Sequence, residues 1–159
     1  MFRIGLGQDS HRFSEDPKRK LILGGTEVKN ENGLEANSDG DVVIHALCRA
    51  IEQALGNPDF SVYADKMCKE DIKNSREYLK IAVGHIKEKG YAINNVGISL
   101  ECQKPKILPI EGKIKASLAK ILEIKESQIG ISATSGEDLT VFGKGEGIQV
   151  FAIVSLIRK

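Results

Sequence analysis

The stretch Ile4-Gly5-Leu6-Gly7-Gln8-Asp9-Ser10-His11 is a short apolar run that ends in an Asp and a His two residues apart. In an extended segment side chains alternate faces, so Asp9 and His11 point the same way. A carboxylate beside an imidazole is the beginning of a divalent-metal site. Zinc takes both donors but wants a third protein ligand. His45 is the candidate, one turn after Asp41 on a helix introduced by Ser38-Asp39-Gly40-Asp41. Helical side chains lean toward the N-terminus, so His45 points back at the helix start. If that end abuts the first strand, His45 meets Asp9 and His11. Two imidazoles and a carboxylate leave a fourth position open, the pattern of a catalytic zinc site. The competing reading is a helix-margin histidine and an unrelated surface Asp-x-His pair, and spacing alone leaves both open.

Thr134-Ser135-Gly136-Glu137 is a second cluster. Two hydroxyls and a carboxylate after a strand suit phosphate oxygens and a hard cation such as Mg²⁺, although a plain solvated turn would read the same. Lys104-Pro105-Lys106 is a rigid basic loop, able to approach a phosphate or a base edge, or simply a surface charge pair. The run Gly143-Lys144-Gly145-Glu146-Gly147 precedes a strand rather than a helix, so it fails the contexts of a P-loop and of a dinucleotide fold. His85 sits near a helix C-terminus, where an imidazole suits the dipole, and Cys48 reads as a small core residue.

The elements that must position these groups follow from periodicity and punctuation. Short strands are expected over 2–8 and 21–23, with 26–28 as a hairpin partner across the Gly24-Gly25 turn. Ser38 is expected to cap the first helix, with Asp41 completing the box. Val42, Val43, Ala46, Leu47, Ala50, Ile51, Ala54 and Leu55 form its buried stripe, and Gly56 and Pro58 end it. Residues 57–73 are polar without a clear period and read as a functional or mobile loop. A second helix starts at Ser75 and closes at Lys89-Gly90. A strand over 96–100, a third helix after Pro109, a strand over 129–133, a polar loop over 134–146 and a last strand over 147–157 complete the order. Helices separated by strands with long crossovers imply a two-layer α/β (α+β) sandwich: a mixed four-stranded sheet with helices on one face, plus a small N-terminal hairpin.

The composition excludes several classes. The chain has 159 residues, 41% hydrophobic and 28% charged, which suits one soluble domain spanning 1–159. A net charge of +1 gives no footprint for nucleic acid or an acidic membrane surface, and no apolar run reaches membrane-spanning length. Cys48, Cys68 and Cys102 form no C-x-x-C pair and read as the reduced thiols of a cytoplasmic protein. With a strand beginning next to Met1, no signal or transit peptide is expected.

Together these pieces resemble, in order along the whole chain, the 2-C-methyl-D-erythritol 2,4-cyclodiphosphate synthase family of the non-mevalonate isoprenoid pathway. Gly5-Leu6-Gly7-Gln8-Asp9-Ser10-His11-Arg12-Phe13 is similar to the family's Gly-x-Gly-x-Asp-x-His-x-Phe segment. Ser38-Asp39-Gly40-Asp41-Val42 through His45-Ala46 is similar to its Ser-Asp-Gly-Asp-Val-x-x-His-Ala signature. Gln103, Pro105, Lys106, Leu108 and Pro109 resemble its Gln-x-Pro-Lys-x-x-Pro loop, and Glu137, Leu139 and the 143–147 glycine run follow its C-terminal segment.

The resemblance implies a chorismate-mutase-like sandwich, a homotrimer and active sites between neighbouring subunits. Asp9, His11 and His45 are then zinc ligands, and Glu137 holds a second divalent cation, Mg²⁺ or Mn²⁺. Cys102, Gln103, Lys104, Pro105, Lys106, Ile107 and Leu108 form the cytosine pocket. Ser38, Thr134 and Lys144 contact substrate, and Ser135 matches a phosphate-contacting Thr. Lys144 and Glu146 match positions near the trimer axis, where family members can hold an isoprenoid diphosphate. The implied reaction cyclises 4-diphosphocytidyl-2-C-methyl-D-erythritol 2-phosphate and releases CMP, through attack of the substrate's own 2-phosphate. A trimer that binds cytidine nucleotide or isoprenoid diphosphate without turnover and a metal-dependent phosphohydrolase are the alternatives. This chain departs from the family pattern in having Asn37 where a His is usual, and Asn donates a hydrogen bond but carries no charge. It also replaces the erythritol-contacting stretches with Asn57-Pro58-Asp59 and Val62-Tyr63-Ala64-Asp65, which leaves Asp59 and Asp65 as candidates there.

Overall fold

A computed structural model describes all residues, 1–159. Its elements are β1 (Phe2–Arg12), β2 (Lys20–Leu23), β3 (Thr26–Asn32), α1 (Val42–Leu55), α2 (Ser61–Lys69), α3 (Ser75–Glu88), β4 (Tyr91–Glu101), α4 (Glu111–Leu122), β5 (Ile129–Thr134) and β6 (Gly147–Arg158). The main sheet has the strand order β1-β6-β4-β5, and β2 and β3 form a separate hairpin. β1 and β4 both run antiparallel to β6, while β4 and β5 are parallel and joined through α4, which makes the sheet mixed.

α1, α3 and α4 pack on one face of this sheet. That face carries Ile148, Val150, Ala152, Val154 and Leu156 of β6, all buried, and a continuous core of 38 residues fills the space beneath the helices. The other face has no helix. Phe2, Ile4, Leu6, Phe151, Ile153 and Ile157 stand on it between 39% and 68% exposed. The sandwich and hairpin expected from the sequence are thus present, with longer strands than the apolar runs alone mark.

Two glycines set the distance between the layers at the functional end. A Cβ on Gly5 would lie 1.9 Å from the Ala50 carbonyl oxygen, and one on Gly7 would lie 2.0 Å from that of Ala46. α1 therefore rests backbone-to-backbone on β1, a contact that only glycine on the strand and alanine on the helix permit.

The structure corrects three local expectations. Residues 61–69 form α2, not a loop, because Phe60 and Ala64 are buried and Tyr63 donates its hydroxyl to Glu52 on α1 at 3.1 Å. The cap of α1 is Asp41, not Ser38: Asp41 Oδ1 accepts the Ile44 amide at 3.0 Å. The same carboxylate, fully buried, also accepts the amides of Gly24 at 2.9 Å and Gly25 at 2.6 Å. It thereby fastens the hairpin turn to the helix start. His85 is not a simple dipole partner either, since its Nδ1 lies 2.9 Å from Oε1 of the buried Glu52.

Candidate metal centre and a second cavity

Gly5, Gly7, Asp9 and His11 share the inward face of β1, where the first two admit α1 and the last two meet it. His11 Nε2 lies 2.8 Å and His45 Nδ1 3.0 Å from Asp9 Oδ2, and the two ring nitrogens are 3.4 Å apart. One ligand atom from each residue falls within 4.8 Å of the others. The three residues thus form one cluster: the close β1–α1 contact brings the helix start, and His45 with it, over the strand end.

Burial opposes ionisation of Asp9, but the hydrogen bonds and charges of His11 and His45 outweigh it and hold the carboxyl well below the usual carboxylate range. Burial also disfavours a charged His11, and Asp9 reverses this and raises the imidazole.

Behind His45 lies a chain of bonds that the sequence did not announce. Ser75 donates its hydroxyl and its amide to Asp39, so its oxygen is left to accept from His45 Nε2 at 2.9 Å. Ser38 Oγ lies 3.2 Å from the same nitrogen and accepts the Gly40 amide. With a proton held on Nε2, Nδ1 is the nitrogen that gives up its proton and its bond to Asp9 when a metal binds, the tautomer a metal ligand needs.

Arg49, one turn beyond His45, donates from Nη1 to Asp9 Oδ1 at 2.6 Å and from Nε to Asp59 Oδ2 at 3.1 Å. Arg19 brackets Asn37 by donating to the carbonyls of Leu34, Ala36 and Ser38, so the exposed Asn37 stands on a braced backbone. Both arginines lie on polar helix or loop positions with no motif of their own, which hides them in the sequence. Asp65 is exposed on α2, and no hydrogen bond joins it to the cluster.

A second concavity of about 490 Å³ lies at the other edge of the sheet, between the ends of β4 and β5. Cys102, Pro105, Lys106, Ile107 and Leu108 line one side, and Thr134 and Ser135 the other. Gln103 and Lys104 turn away into a separate recess beside Asn30 and Gly145. Glu137 is exposed at a φ of 49°, with its amide 3.3 Å from Ser135 Oγ. It joins none of the three residues of the metal cluster. Lys144 is exposed in the turn before β6. β1 and β5 are opposite edges of the sheet, three strand spacings or about 14 Å apart. Within one chain the cluster and the cavity are therefore separate.

A mixed α/β sandwich with an Asp-His-His cluster at one sheet edge and an open cavity at the other places the chain in a defined class: it belongs to the YgbB family, whose model matches residues 2–157. Among its relatives, the protein named 2-C-methyl-D-erythritol 2,4-cyclodiphosphate synthase from Chlamydia muridarum (strain MoPn / Nigg) is 41% identical over 161 residues, covering 99% of this chain and 89% of the relative. A solved structure described as IspF (Plasmodium falciparum) CDP complex superposes with a TM-score of 0.88 at 35% identity, covering 99% of this chain and 97% of the other. The bifunctional IspDF from Campylobacter jejuni superposes with a TM-score of 0.92 at 34% identity, over 100% of this chain and 43% of that longer one.

Proposed function

We infer that the chain converts 4-diphosphocytidyl-2-C-methyl-D-erythritol 2-phosphate to 2-C-methyl-D-erythritol 2,4-cyclodiphosphate and CMP, as a phosphorus–oxygen lyase of isoprenoid biosynthesis. The observation that carries this reading is the convergence of Asp9, His11 and His45, in a chain similar over nearly its whole length to proteins of that name. The CDP of the Plasmodium falciparum complex supports a cytidine nucleotide as the part held by the cavity.

In this reaction an oxygen of the 2-phosphate attacks the β-phosphorus of the same molecule. The bond from that phosphorus to the bridging oxygen breaks, and the electron pair leaves with CMP. No side chain becomes a nucleophile, so the protein's work is positioning and charge neutralisation. Asp9 Oδ2, His11 Nε2 and His45 Nδ1 offer the two nitrogens and one oxygen that suit zinc, and these residues would hold it. Bound there, zinc supplies Lewis-acid polarisation and positive charge against phosphate oxygens. Glu137 would hold Mg²⁺ or Mn²⁺ together with phosphate oxygens, as fits a cation that binds through few carboxylates and its substrate. Asn37 and Ser135 donate hydrogen bonds to phosphates, helped by Ser38, Thr134 and the charge of Lys144. Asp59 binds the erythritol part. Cys102 and Pro105 to Leu108 surround the cytosine.

The opposite-edge placement of cluster and cavity supports a site shared between copies. A neighbour that lays its β5 edge beside the β1 edge of the first completes it. The uncovered apolar face, Phe2, Ile4, Leu6, Phe151, Ile153 and Ile157, supports a homotrimer that buries three such faces together. One continuous core supports a single domain over 1–159. The three free cysteines support a cytoplasmic location, and no helix is long and apolar enough to cross a membrane. The test is CMP release from the diphosphocytidyl substrate by purified protein loaded with zinc and magnesium. His45→Ala should lose nearly all activity and most zinc. Binding of CDP without any CMP release by the metal-loaded protein would refute the cyclase reading.

A further inference from the structure

We propose that Arg49 is a positioning residue for the metal centre, which holds Asp9 as a one-oxygen ligand and ties the segment that opens α2 to that centre. The inference rests on the cyclase reading for its substrate and on geometry for everything else.

Asp9 divides its carboxylate between two duties. Oδ2 faces the imidazoles of His11 and His45, while Oδ1 receives Arg49 Nη1 at 2.6 Å. The same Nη1 reaches the Gln8 carbonyl at 3.1 Å, so the guanidinium grips both the ligand and the strand that carries it. Its Nε donates to Asp59 Oδ2 at 3.1 Å, and its carbon lies 5.0 Å from the centre of the Phe60 ring. A guanidinium is a rigid plane, so contacts at Nε and Nη1 fix each other's direction. Arg49 thus does for the carboxylate ligand what Ser75 and Asp39 do for His45.

Two consequences follow. With Oδ1 taken, Asp9 presents one oxygen to the cation, and the remaining coordination positions stay available to phosphate. In addition, Asp59 and Phe60 stand at the entrance to α2, so Arg49 ties that segment to the metal centre, alongside the segment's own Ser61 amide bond to Asp59 and the Tyr63 bond to Glu52. Lysine would preserve the charge, but a single ammonium does not offer two directed donors to Asp9 and Asp59.

The test is a zinc titration of the protein without substrate, by competition with a chromophoric chelator, on the wild type, Arg49→Met, Arg49→Lys and Asp59→Asn. Loss of an outer partner of a ligand lowers metal affinity by about 10- to 100-fold. Arg49→Met should fall in that range, and Arg49→Lys should recover part of the loss. Asp59→Asn should keep zinc affinity within about threefold and raise KM for the diphosphocytidyl substrate more than it lowers kcat. Thermal unfolding monitors folding, and Asp59→Asn, an exposed conservative change, keeps the coupling testable if Arg49→Met unfolds. Wild-type affinity in folded Arg49→Met, or an unchanged KM in Asp59→Asn, overturns the proposal. Protein that binds zinc but releases no CMP would refute the cyclase reading alone, because the zinc comparison needs no turnover.

Discussion

Ser75 Oγ lies 2.9 Å from His45 Nε2 and gives its own hydrogen to Asp39, so a residue 30 positions away decides which nitrogen of the metal-facing histidine is bare. Ser75→Ala removes the acceptor and leaves only Ser38, at 3.2 Å, to hold the Nε2 proton. Zinc affinity should fall by about tenfold, the lower end of what such partners contribute. Competition titration with a chelator measures it, and Ser75→Thr, which keeps the hydroxyl, should lose less.

Gly7 and Ala46 predict a steric outcome. A methyl at position 7 would stand 2.0 Å from the Ala46 carbonyl oxygen, which is backbone and cannot swing aside. Gly7→Ala should lift α1 off β1 and destabilise the fold by about 3 kcal/mol, the upper part of the overpacking range. Urea unfolding gives that figure. Zinc stoichiometry in the surviving folded fraction should drop as well, since the same contact brings His45 to Asp9.

The buried cap Asp41 predicts a pH dependence of stability. Burial, and then the neighbouring Asp39 charge, push its carboxyl up to about 6, against an ordinary value of 3.8. The folded state therefore keeps this proton to higher pH than the unfolded chain. The contribution is fully present below the unfolded value and is lost as pH rises through the folded one. Between about pH 4 and 6 the wild type should lose stability relative to Asp41→Asn, which does not titrate. Denaturant midpoints of both proteins across that window check the slope. A parallel pair of curves would remove the assignment.

Thiol chemistry separates the three cysteines. Cys48 is fully buried and burial pushes its thiol well up, while burial pushes Cys102 up to about 11 despite the Lys106 charge. At pH 8 roughly one Cys102 in a thousand is then thiolate, the reactive form. Iodoacetamide should first mark the half-exposed Cys68, with Cys102 following slowly and Cys48 only on unfolding. Mass spectrometry of timed digests resolves the order.

The metal cluster was legible in the sequence because two local rules converge on it. Alternation along β1 aims Asp9 and His11 together, and the backward lean of helical side chains aims His45 at them. The sandwich was legible from the order of apolar runs and their punctuation. What escaped depends on distant partners. α2 has no apolar stripe of its own and is held by Phe60 and by the Tyr63–Glu52 bond. The two cap candidates of α1, Ser38 and Asp41, are equivalent as residue types, and only the Gly24–Gly25 turn, brought in by the fold, chooses Asp41. Arg19 reaches Leu34 across 15 positions, Ser75 reaches His45 across 30 and Arg49 reaches Asp9 across 40, spans that no local motif contains.

The cluster and the cavity serve one intramolecular cyclisation. Phosphorus NMR of the products formed from the diphosphocytidyl substrate, with zinc and magnesium present, tests it most directly. A cyclic diphosphate with two mutually coupled phosphorus nuclei and an equal amount of CMP is the expected result. Separate, uncoupled phosphomonoester signals, the mark of attack by water, would contradict it.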